Sequence, residues 1–161
     1  MDKYELTKDT IEHNGNTLHR IKATKDFGDV KKGDLGGYIQ SEGNLSQCGN
    51  AWVFDNALVY GNAKVFDNAL VYGDALVYGD ALVYDDAWVS GNALVYGNAK
   101  VFGDAMVYGD AQVFGNAWVS GDAWVYGNAK VYGDAWFCDD AWVYDDAWVC
   151  EDAWVFGGII T

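Results

Sequence analysis

From Gly49 to Phe156 the chain repeats one six-residue phrase eighteen times without a gap. Two polar or turn residues open it, and an alternating stretch of Ala, a variable residue and Val follows, closed in most copies by an aromatic. Gly73-Asp74-Ala75-Leu76-Val77-Tyr78 is a typical copy. The third position is Ala from Ala51 to Ala153, and the fifth is Val in every copy but one, where Phe137 stands. Residues two apart on a strand point to one face, so Ala and Val face inward together and the fourth residue faces out. The Gly or acidic residue and the Asn or Asp that follow tolerate φ > 0 and predict a tight corner. Each phrase is then one short strand and one corner. A repeat of this length is the mark of a parallel β-helix, whose coils are stable because neighbours stack on them. Three phrases close a triangular coil of eighteen residues, so 49–156 predicts an all-β, single-stranded parallel β-helix of six regular coils. The stacking distance of ~4.8 Å makes it roughly 29 Å tall. No apolar residues recur at helical spacing, and a turn pair at every sixth residue would interrupt a helix.

The flanks lack this regularity. Tyr4 to Glu12 and Thr17 to Ala23 alternate, with Asn14-Gly15 between them, and predict a β-hairpin. Lys25 to Gly36 is rich in Gly and charge and reads as an irregular connection. Residues 1–36 are taken as a cap over the first coil, 37–48 as two degenerate lead-in hexads, 49–156 as the regular helix and 157–161 as a short tail. With so short a tail the last coil is an edge open to end-to-end contact.

The outward fourth position carries the information. The first face reads Trp52, Leu70, Trp88, Met106, Trp124 and Trp142, an apolar stripe six coils long. The second reads Leu58, Leu76, Leu94, Gln112, Lys130 and Trp148. The third reads Lys64, Leu82, Lys100, Trp118, Trp136 and Trp154, a secondary aromatic face in its last three coils. Monomers rarely expose contiguous apolar patches of such extent, and interface cores favour Trp and Met. The first face is therefore expected to be an interface between copies of the chain. The sixth position adds a row of Tyr and Phe near the corners, expected to stack between coils.

Composition narrows the chemistry. The formal charge is −14, and the only basic residues in the repeats are Lys64, Lys100 and Lys130, which disfavours a nucleic-acid polymer. No apolar run approaches membrane-spanning length, and the N-terminus has no apolar leader. Cys48, Cys138 and Cys150 are expected to be free thiols in a cytoplasmic protein. Paired acids such as Asp85-Asp86 and Asp139-Asp140 would suit Ca²⁺. Asn and Asp interchange freely along that row, as left-handed turn residues would, so no metal or other cofactor is assigned. The only histidines, His13 and His19, lie in the hairpin. Without a histidine in the coils no set of nucleophile, base and orienting group can be assembled, and no catalytic residue is assigned.

The Val-to-Ala spacing, as in Val59 then Ala63 and Val65 then Ala69, resembles the hexapeptide-repeat superfamily of left-handed β-helices. The lead-in Phe27 to Ile39 is similar to the N-terminal segment of the YdcK-like bacterial and phage proteins of that type. The resemblance implies the left-handed form, and it brings no activity of its own. The acyltransferases and γ-type carbonic anhydrases of the superfamily use histidines in or beside the coils, which this chain lacks. The ice-binding members display rows of Thr, and none of the five Thr here lies in the regular repeats. The expectation is a non-catalytic, self-associating structural module. A module that sequesters a sugar or small nucleotide on its aromatic ladders is the alternative, and a relic of an acyltransferase is a third reading.

Overall fold

The computed structural model describes residues 1–161 as a parallel β-solenoid of about seven turns, all β but for one short 3-10 turn at Glu42–Asn44. Each hexad contributes a two-residue strand of its fourth and fifth positions, from Trp52–Val53 onward, and each strand pairs in parallel with the one eighteen residues later. Backbone amides bond coil to coil at about the usual amide spacing, as in Leu94 N–H donating to Ala111 O at 2.9 Å. Every inward Ala from Ala51 to Ala141 and every inward Val from Val53 to Val143 is fully buried, and Phe137 takes the place of Val without being exposed. The core is thus a column of alternating small and β-branched side chains.

The corners depart from one expectation. The left-handed residue is the first of each hexad, not the second. Gly at this position has φ of 64–73°, while Asp55, Asp67, Asp85, Asp139, Asp145 and Glu151 hold φ of 53–60° there. The Asn/Asp row at position two is not in this region and has another task, described below. One-residue corners explain the Gly preference at position one. Asp is the common substitute because its short polar side chain tolerates this region.

The predicted hairpin forms as β1 (Tyr4–His13) and β2 (Asn16–Ala23), joined by Asn14-Gly15, both at positive φ. It does not simply lie across the top. A third strand, β3 (Leu35–Ile39), pairs antiparallel with β2 and in parallel with Leu58–Val59, so the hairpin extends the second face upward. Its inward side closes the core with Tyr4, Ile21 and Ala23. Tyr4 donates its hydroxyl to Leu45 O at 2.7 Å, and the Lys3 amine reaches Ala51 O at 2.7 Å.

The lead-in hexads stand two residues earlier than a continuous count from residue 37 places them. Ile39 stacks on Val59 and Leu45 bridges to Val65, each twenty residues apart. The surplus pair is Gln47-Cys48. Gln47 uses it to clamp the cap, accepting from Lys3 N at 2.7 Å and donating to Tyr4 O at 3.3 Å. At the other end, residues 157–161 do not leave the solenoid as a tail. The strand Trp154–Ile160 continues around a corner one residue short, setting Gly158, Ile159 and Ile160 beside Ala141, Trp142 and Val143. No helix is long and apolar enough to cross a membrane.

Candidate functional site: the outward aromatic ladders

The outer surface is built of three kinds of row, each a direct result of the eighteen-residue coil. At the corners, position-two amides and carboxylates meet between coils. Asn56 donates to Asp74, Asn92 to Asp110 and Asn128 to Asp146, at 3.4, 2.9 and 3.0 Å. Asn has both a donor and an acceptor, so alternation with Asp gives each carboxylate a partner. The row leading to the first face begins likewise, with Asn50 donating to Asn68 and Asn68 to Asp86 at 3.1 Å. It then runs Asp86, Asp104, Asp122 and Asp140, four carboxylates in successive coils with no amide between them. Like charges at strand spacing repel. Asp104→Asn is expected to stabilise the fold by about 0.5–1 kcal/mol at low salt, with the gain shrinking as salt rises. Equal urea midpoints for the two proteins at low salt would contradict this. Nowhere are three or more His, Cys, Asp or Glu placed to hold one metal ion.

At position six the aromatics stack. On the second face Tyr60, Tyr78, Tyr96, Phe114 and Tyr132 form a continuous ladder with ring centroids 4.9–5.1 Å apart and nearly parallel planes. The hairpin tip seals its top, where His13 lies edge-on to Tyr60 at 5.3 Å. His19 Nδ1 sits 3.3 Å from Thr7 O within the hairpin. Both histidines therefore have structural neighbours, His13 against Tyr60 and His19 within the hairpin.

At position four the predicted stripe is corrected at its first residue. Trp52 is fully buried, packed edge-on by Tyr4 and Phe27 under the cap, and cannot contact a partner. The open stripe begins at Leu70. Leu70, Met106 and Trp124 are half-buried, whereas Trp88 and Trp142 are 40% and 38% exposed. Strand pairing sets Leu70, Trp88, Met106, Trp124 and Trp142 side by side as expected, and Trp124 stacks on Trp142 at 5.1 Å. On the third face Trp118, Trp136 and Trp154 form a three-ring stack at 4.6 and 5.1 Å. The Lys100 amine caps that stack 4.6 Å from the Trp118 ring, and Lys130 similarly covers Trp148 at 5.1 Å. These are cation–π contacts, and they leave the lower rings uncovered.

One relation escaped the sequence reading although its signal was present. All four hexads with a small residue at position six carry Trp at position four: Trp88/Ser90, Trp118/Ser120, Trp136/Cys138 and Trp148/Cys150. Positions four and six share the outer side of the strand. Trp88, Trp118 and Trp148 each stand edge-on to the ring one coil earlier, at 5.9–6.3 Å, and so does Trp124, whose hexad keeps Tyr126. All three cysteines are free. The Cys138 thiol donates to Val155 O at 3.7 Å, and burial, then Asp139, push its pKa up, which makes it a poor nucleophile. A hollow of about 390 Å³ lies beneath the Glu42–Asn44 turn, between Glu42, Gln47, Lys64 and Phe66. It marks the place where the third face has no full strand above Lys64.

Residues 75–91 and 111–127 match the family model described as the YdcK beta solenoid repeat. Each stretch covers the three strands of a single coil, and the two lie two coils apart. The chain carries this repeat and is similar to YdcK-like solenoid proteins. No curated protein matches the chain.

Proposed function

We propose that this chain, built on the YdcK beta solenoid repeat, is a non-catalytic structural module that associates with itself in the cytoplasm. The contact centres on the indoles of the last coils. The carrying observation is the pair of Trp stacks that flank one edge of the prism, Trp124 and Trp142 on the first face and Trp118, Trp136 and Trp154 on the third. Trp136, Trp142 and Trp154 remain 37%, 38% and 61% exposed despite stacking. Surfaces of this composition are typical of the buried centres of interfaces. A patch on one edge suits a two-fold contact, in which the same surface serves both copies. Leu70, Trp88 and Met106 continue the first face above it, with Trp88 40% exposed. The absence of a coil histidine and the raised Cys138 pKa support the non-catalytic part of the reading.

Light scattering on a concentration series tests it. The protein is expected to be a dimer or larger species, and Trp142→Lys with Trp136→Lys is expected to yield a monomer of unchanged circular dichroism. A monomer at high concentration in the unaltered protein would reject the proposal. A second reading, capture of a small ligand on the ladders, is favoured by one specific feature, the interruption of a Tyr row at Ser90.

A further inference from the structure

The row beside the first face runs Phe54, Tyr72, Ser90, Tyr108, Tyr126, Tyr144. Below Ser90 it is a regular ladder, with Tyr108 to Tyr126 at 5.0 Å and Tyr126 to Tyr144 at 5.1 Å. At Ser90 a single rung is missing. Tyr72 and Tyr108 stand two coils apart on either side of it, and above Tyr72 the row is not stacked, since Phe54 lies at 89° to Tyr72. The gap is open: a cavity of about 280 Å³ is lined by Tyr72, Trp88, Ser90, Met106, Tyr108 and Trp124. Trp88 stands at 77° to Tyr72, ring centres 5.9 Å apart, and lines the cavity on its first-face side. Ser90 spends its backbone N–H on Val107 O and its carbonyl on Ala93 N, and its hydroxyl makes no bond within the protein. The corner residues around the gap are Asp74, Asn92 and Asp110 on one side and Asp86, Asp104 and Asp122 on the other. The basic residues of the repeats lie on the second and third faces.

We propose that the missing rung at Ser90 is a binding site for a flat heteroaromatic cation. The ring completes the ladder between Tyr72 and Tyr108, a ring N–H or carbonyl meets the Ser90 hydroxyl, and the acidic corners favour positive charge. Anionic nucleotides are excluded by the same carboxylates. The third-face row does not make such a site. There Ser120 and Cys138 remove two successive rungs, and a single ring cannot touch both neighbours. The slot shares Trp124 with the contact proposed above, so the oligomeric state of each Ser90 variant is read beside the titration.

The test uses the full chain and three probes: N-methylquinolinium, its saturated analogue N-methyldecahydroquinolinium, and the anion naphthalene-2-sulfonate. Proton NMR titration is expected to show saturable upfield shifts of the quinolinium ring protons, with affinity at least tenfold above that of either control. Ser90→Tyr fills the rung and is expected to abolish these shifts, while Ser120→Tyr leaves them unchanged. Ser90→Ala keeps the slot and is expected to weaken binding of 4-amino-N-methylquinolinium, which carries a donor, about threefold to tenfold. Absence of saturable binding up to millimolar probe would overturn the proposal, as would equal binding by Ser90→Tyr or equal affinity for the anion. Light scattering of the Ser90 variants separates this outcome from failure of the assembly reading, because their oligomeric state is expected to match the unaltered protein.

Discussion

Gly97→Val is expected to cost about 3 kcal/mol or more, whereas Gly97→Asp is expected to cost about 1 kcal/mol or less. Gly97 sits at φ +69°, and a Cβ added there would lie 3.0 Å from the amide nitrogen of Gly115 and 3.1 Å from its oxygen. Those atoms belong to the next coil's backbone, which is fixed on both sides by the parallel ladder, so relief requires separating two coils. Val adds a second penalty, because a β-branched side chain is among the least tolerant of a left-handed backbone. Asp pays neither in full. Six corners of this protein already hold an acidic residue at φ of 53–60°, some degrees below the glycines. Urea denaturation of the two variants beside the parent checks the contrast. Similar losses for Val and Asp would mean that the coils yield more easily than the stacking implies. A change of slope in the Val variant would indicate that coils on the two sides of residue 97 have begun to unfold separately, as one-dimensional stacking permits.

The second large effect belongs to the cap and depends on pH. Lys3 is 1% exposed, with its amine 5.0 Å from the Phe27 ring centre. Burial lowers its pKa from 10.5 to about 8, opposed by the nearby Cys48 and helped slightly by Lys25. Between these values the unfolded chain binds the extra proton and the folded chain does not, so folding stability rises with pH across this window. Below about pH 8 the folded state carries the full penalty of a buried ammonium, at most about 3 kcal/mol from the size of the shift. Tyrosines set the upper limit. Burial pushes Tyr4, Tyr60, Tyr78, Tyr84 and Tyr96 above the ordinary phenol range, so they hold their protons in the folded state and stability falls as pH passes about 10. The melting temperature is expected to climb from about pH 8 to about 9.5 and then decline. In Lys3→Met the climb should vanish. Parallel pH profiles for the two proteins would show that Lys3 is not the source.

How much of this could be read from the chain differs from element to element. The solenoid was legible because Ala and Val recur without interruption at period six, and burial on one side of a strand depends on nothing else. The hairpin was legible because Asn14-Gly15 between alternating segments is a local signal. The membership of each face was also legible, since a strict coil of eighteen residues makes spatial neighbours a matter of counting. Counting failed where the coil changes length. Gln47 and Cys48 add two residues before the first regular coil, and a residue is lost after Phe156. No local preference announces either, because each is settled by what the neighbouring coil or cap can bond.

Side-chain environment was legible only in part. Trp52 has the same place in its hexad as Trp88, yet it is buried, because Tyr4 and Phe27 arrive from more than twenty residues away. The Asn/Asp row looked like turn chemistry because Asn and Asp favour left-handed backbone. The structure gives that backbone to the residue before, and turns the second residue into an amide and carboxylate ladder between coils. The gap at Ser90 was written in the sequence as a lone Ser in an aromatic row. The hollow beside it needed the surrounding rings, Tyr72, Trp88, Tyr108 and Trp124, to be placed. The sequence alone therefore determined the repeat, the core and the order of residues on each face, since these follow from short-range periodicity. Tertiary structure decided which outward residues remain free, because exposure depends on what distant segments fold over them.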